Sequence, residues 1–157
     1  MSKRARTDIY PETDTFHYYN ANPKNRITGD CSVRAISTVL GKSWTEVVME
    51  MAELGCKNGY SPWGRENIDR YLKLNGWTKC RQPKKWDNTK YTAEEFCEIQ
   101  QHYAGEIMAE WDDGIVIAPK IVVSVGGHHI SCIINGKIND IWDCTDNCVG
   151  NYWVKYE

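Results

Sequence analysis

Apolar positions recur with a helical period through most of the chain and with a strand period towards its C-terminus. From Cys31 to Leu40 they fall at Val33, Ile36, Val39 and Leu40, one face of a helix that Gly41 stops. Ser43-Trp44-Thr45-Glu46 is a capping box. It predicts a second helix over 44–54 with Trp44, Val47, Val48, Met51 and Leu54 on one face and Gly55 at its end. Ser61-Pro62 starts a third helix, with proline at its first position, running through Ile68, Tyr71, Leu72 and Leu74 to Asn75-Gly76. Thr92-Ala93-Glu94-Glu95 is another capping box and opens a helix over 93–104, with Phe96, Ile99 and Tyr103 facing inward.

From Gly114 the pattern changes. Ile115-Val116-Ile117 and Ile121 to Val125 read as strands, and Gly126-Gly127 breaks the run. His129 to Ile134 and Lys137 to Asp143 form a hairpin joined at Asn135-Gly136, the strongest short hairpin signal. Phe16 to Tyr19 reads as a short edge strand and Trp77 to Cys80 as another strand. Residues 1–15 are polar and predict a loose arm or a strap over the surface; 20–28 and 81–90 are loops, the latter carrying a solvated Lys84-Lys85-Trp86. The acidic stretch 105–113 shows no pattern. Helices come first and strands last, so the expectation is a single α+β domain over 1–157.

Charge and cysteine content narrow the function. A net charge of −2 argues against general nucleic-acid binding. Lys3-Arg4-Ala5-Arg6 is basic, but no apolar segment follows it, so it is not a secretory signal. The longest apolar run, Ile115 to Val125, is interrupted by Pro119 and Lys120 and is too short to span a bilayer. The seven cysteines are an odd number, which predicts free thiols in a reducing, cytoplasmic compartment. Cys144, Cys148, His128 and His129 could be drawn together as a zinc site, but they contain only one closely spaced cysteine pair, and no metal is expected. His17 reads as structural and His102 as a surface residue.

The candidate chemistry centres on Gly29-Asp30-Cys31-Ser32. Gly29 permits a sharp turn, Asp30 is placed to cap the helix, and Cys31 opens it. The partial positive charge of a helix N-terminus favours the thiolate, which is the nucleophile. Taken alone, Cys31 could equally be a small buried hydrophobe. A cysteine nucleophile needs an imidazole, and the imidazole needs a third group to orient it. His128 and His129 open the first hairpin strand, and Asp140 and Asp143 lie near the end of the second. With a tight two-residue turn, His128 faces Asp143 and Asp140 is diagonal to His129; with a three-residue loop, His129 faces Asp143. The residues leave this choice open.

Cys31 at a helix start, with an amide side chain (Asn25) six positions before it and a C-terminal strand pair carrying His and Asp, resembles the papain-like cysteine peptidase superfamily. The Asp-Cys pair resembles its small bacterial and phage members, bacteriocin-processing peptidases among them. Those families usually carry Gln where this chain has Asn25. The resemblance implies an N-terminal helical half bearing the nucleophile, packed on a C-terminal antiparallel sheet. It also implies His129 as base, Asp143 as orienter with Trp142 as its shield, and Asn25 as oxyanion donor. The activity implied is thiol-dependent cleavage of a peptide or isopeptide bond through a thioester, without a cofactor, on a protein or peptide substrate in the cytoplasm of a bacterial or phage-infected cell. Deamidation, transglutamination and cell-wall amide cleavage use the same triad, and an inactive binding or inhibitor module is the reading outside enzymes.

Overall fold

The computed structural model describes residues 4–102, 109–110 and 114–155. The elements in order are α1 (Arg6–Ile9), β1 (Phe16–Tyr18), α2 (Cys31–Leu40), α3 (Trp44–Asn58), α4 (Arg65–Leu74), β2 (Trp77–Cys80), α5 (Ala93–His102), β3 (Ala109–Glu110), β4 (Val116–Ile117), β5 (Lys120–Val125), β6 (His129–Ile134), β7 (Lys137–Asp140) and β8 (Val149–Lys155). The expected inward-facing Tyr103, the end of its helix at 104 and Lys3 lie outside the described residues. No helix among the described residues is long and apolar enough to cross a membrane.

The class is α+β, built on a six-stranded sheet of order β1-β7-β6-β5-β8-β2. Strands from the N-terminal part of the chain close both edges of the sheet. β1 pairs parallel with β7, and β2 pairs antiparallel with β8. The expected division into a helical half and a purely antiparallel C-terminal sheet is therefore corrected.

Alternation along the strands sends side chains to opposite faces. Val122, Ile130, Cys132 and Trp153 pack with Val33, Ile36 and Val39 of α2, Val47 and Met51 of α3, and Ile68, Tyr71 and Leu72 of α4. Ile121, Val123, Val125, Ile133, Tyr152 and Val154 pack on the other face with Phe16 and with Phe96 and Cys97 of α5. The central strands are buried on both sides, which fixes their register against a one-residue slip.

Local differences from the sequence reading have physical causes. α3 runs past Gly55 to Gly59, whose φ of 75° ends it. Gly55 is needed for close approach instead: a Cβ there would meet the Tyr60 carbonyl oxygen at 2.7 Å. α4 begins at Arg65, with Gly64 at its cap, so Pro62 lies in the preceding turn. The N-terminal arm is strapped down, with Arg6 Nη2 donating to the Ile141 carbonyl at 2.5 Å and Tyr10 edge-on to Phe16. Thr92 and Glu95 exchange bonds as a complete capping box, whereas at α3 only the Ser43 half forms, its hydroxyl accepting from the Glu46 N–H.

Candidate active site

Three elements meet at one end of the sheet: the start of α2, the start of β6 and the end of β7. They carry Cys31, His129 and Asp140 respectively. The hairpin register brings the last two together. Ile134 pairs with Lys137 and Ile133 with Ile138, leaving Asn135 and Gly136 as a two-residue turn, with φ of 54° and 74°. Positive φ at both turn residues is what the tight hairpin turn requires.

His129 Nε2 lies 2.6 Å from Asp140 Oδ2, and the Ser131 hydroxyl donates to the same oxygen at 2.7 Å. This leaves His129 Nδ1 to face the Cys31 thiol, whose charged form the imidazole favours. The expected orienter Asp143 is not brought to His129. Its Oδ1 accepts from the Thr145 N–H and hydroxyl at 3.1 and 2.6 Å, closing a turn after β7. His128 is exposed in the turn before β6. Trp142 stands edge-on to the His129 ring, centroids 5.0 Å apart, and shields it from one side.

The electrostatics divide Cys31 from the other thiols. Burial opposes its ionisation, but the His129 hydrogen bond, the Ile130 N–H and the positive charges of His129 and Arg34 outweigh it and hold the thiol below its ordinary value. Burial pushes Cys80, Cys97, Cys132 and Cys144 up. For His129 burial disfavours the cation, yet hydrogen bonds and charge from Asp140 and Cys31 raise it from 6.5 to about 9. Asp140 is pushed up by its burial and pulled down further by His129, Ser131 and Arg34, so it stays a carboxylate. The thiolate and the imidazolium thus each favour the other's charged form.

Asp30 does not cap α2 with its side chain. Its carboxylate is buried and taken by the Arg34 guanidinium, by Asn22 Nδ2 at 3.2 Å and by Trp44 Nε1 at 2.9 Å. Among the described residues no side chain therefore caps the first N–H groups of α2. Arg34 also reaches Asp140 Oδ1 at 3.3 Å, joining the residue before the nucleophile to the carboxylate behind the imidazole. Sequence reasoning missed Arg34 and Ser131. The available signal was the opposite-charge spacing of Asp30 and Arg34 on a helix otherwise rich in apolar residues. Asn25 is exposed in the left-handed region, φ 55°, and its Oδ1 accepts from Asn20 Nδ2 at 3.3 Å.

His129, Asp140 and buried Cys144 present ligand-type atoms within 4.8 Å of one another. The fit to a metal ion is poor. Asp140 is already bound by His129, Ser131, Arg34 and the Ile141 N–H, and the adjacent guanidinium repels a cation. Of the four residues that the sequence could draw into a zinc site, Cys144 is buried and Cys148 is exposed. No family model, curated protein or solved structure matches the chain.

Proposed function

We propose that the chain is a cysteine-dependent amide hydrolase of papain-like design, with Cys31 as nucleophile, His129 as acid and base, and Asp140 as orienter. The observation that carries this reading is the relay from a half-buried thiol at a helix start, through His129, to a buried carboxylate 2.6 Å away. The Cys31 thiolate attacks the carbonyl carbon of a peptide or isopeptide bond. The oxygen that gains charge is met by the uncapped Cys31 N–H and, from the loop, by the Asn25 amide. The tetrahedral adduct collapses as the C–N bond breaks, and the His129 imidazolium gives its proton to the leaving amine. A thioester remains on Cys31. His129, now neutral, takes a proton from water, whose oxygen attacks the thioester and releases the acid and the thiolate.

The reading is tested by incubating the wild type and Cys31→Ala with a degenerate, internally quenched peptide library and following new amine termini by mass spectrometry. Cleavage by the wild type alone supports it. Ammonia release without new termini would reassign the triad to deamidation. No turnover and no acyl adduct on Cys31 would leave a binding module.

A further inference from the structure

The turn between β5 and β6 leads into His129, and a polar cavity opens beside that turn. It has a volume of about 300 Å³ and is lined by Arg65, Lys79, Gln82, Ser124, Gly127 and neighbouring residues of β8. Its place follows from strand direction. β5 ends, and β6 and β8 begin, at the same end of the sheet, since Val125 pairs with both His129 and Val149. β2 runs antiparallel to β8, so Lys79 and Cys80 also lie at that end. α4 begins there at Arg65, on the sheet face that α2 covers, because residues of both helices and Trp153 share one core. The cavity and Cys31 therefore lie at the same end of the sheet, beside the starts of two helices that cover one face.

Two cations line this cavity. Arg65 is half-buried, its guanidinium 5.8 Å from the centroid of the Trp153 ring and its Nη2 3.3 Å from the Ser124 hydroxyl. Among the described residues it makes no ion pair. Lys79 stands 5.9 Å from the centroid of the same ring and is paired with Asp69 at 3.0 Å. One carboxylate thus answers two cations, and the guanidinium over the Trp153 ring keeps donors to spare. Gly127 adds an open stretch of floor, with nothing within 4 Å of where a Cβ would stand.

Resting on the proposed hydrolase reading, we infer that this cavity is a specificity subsite for an acidic side chain of the peptide substrate. Strands lie ~4.8 Å apart and an extended peptide advances ~3.3 Å per residue, so a cavity one to three strands from β6 receives a side chain roughly two to four residues from the scissile bond. The planar Arg65 fork, with Lys79 beside it, suits a carboxylate.

The test uses Cys31-directed probes: short amidated peptides carrying an iodoacetyl group at either end, with Glu or Gln at each successive position. Glu should speed labelling by about tenfold at one or two adjacent positions, the ratio expected for one favourable charged contact. The advantage should vanish in Arg65→Gln, fall in Lys79→Gln, and decline in the wild type as salt is raised, a readout independent of any folding defect. Simple iodoacetamide should label Cys31 equally in the wild type and both variants. Equal labelling by Glu and Gln probes at every position, with iodoacetamide still selective for Cys31, overturns the subsite and leaves the hydrolase reading standing. An advantage seen only for a probe with a free terminal carboxylate overturns the side-chain assignment. Loss of iodoacetamide selectivity overturns both.

Discussion

Replacing Asp140 by Asn keeps the shape of the residue behind His129 and removes its charge. Although burial works against the cation, the His129 imidazolium is stabilised from 6.5 to about 9, with Asp140 as its largest favourable partner and Cys31 as the other. That displacement corresponds to about 3 kcal/mol. If Asp140 supplies about half, Asp140→Asn weakens the imidazolium by roughly 1–2 kcal/mol, moving its titration down by about one pH unit. The rate of Cys31 alkylation by iodoacetamide, followed by mass spectrometry across pH, reads this directly, since the imidazolium holds the thiolate at low pH. The alkaline step of the profile, where the imidazolium beside the thiolate loses its proton, should move down by about one pH unit in Asp140→Asn, and hydrolysis should fall about ten- to a thousandfold. This loss is smaller than the largest known for serine triads, because a preformed thiolate needs no proton removed during attack. Asp143→Asn, whose partner is Thr145, should leave the profile unchanged. An unchanged profile in Asp140→Asn together with a shifted one in Asp143→Asn would refute the assignment.

Other outcomes follow from the same geometry. Cys31→Ala should abolish hydrolysis and change stability by less than about 1 kcal/mol, checked by urea unfolding, because the site thiol is only half-buried. His129→Gln should cost stability mainly at neutral and acid pH. The folded-state imidazolium is favoured, so its contribution is full below 6.5 and is lost as pH rises through about 9, which thermal melts across that range would show. Asn25→Gly accommodates the φ of 55° and removes the amide, so it should leave the melting temperature in place and lower kcat by about ten- to a thousandfold if that amide serves the oxyanion. Gly55→Ala forces a Cβ to 2.7 Å from the Tyr60 carbonyl oxygen and should destabilise the fold by about 1–3 kcal/mol.

What the sequence made legible was what local chemistry decides. α2 begins at Cys31 and stops at Gly41, as its apolar spacing and terminal glycine require, and the Asn135-Gly136 turn sits where the dipeptide puts it. The pairing partner of His129 was not legible, because it depends on whether Lys137 joins the loop or the strand. In the fold Lys137 pairs with Ile134, and the register then hands Asp140, not Asp143, to the imidazole. β8 was not legible, because Val149 to Lys155 lacks a clear alternation; its Tyr152, Trp153 and Val154 are all buried, as a strand between two packed faces demands. Asp30 reads locally as a cap, but the guanidinium of Arg34 and the Trp44 indole compete for its carboxylate and win it. Long-range partners of that kind leave no periodic trace.

The central claim is that one thiol of seven is held ready as a thiolate by His129 and Asp140. Its most direct measurement is the site-resolved rate of iodoacetamide modification near neutral pH in the native protein, read by peptide mass spectrometry, with exposed Cys56 and Cys148 as internal references. The account predicts that Cys31 is modified at least about tenfold faster than either reference, and that His129→Ala removes the advantage. Modification of Cys56 and Cys148 at the same rate as Cys31 or faster, or an advantage that survives His129→Ala, would contradict it.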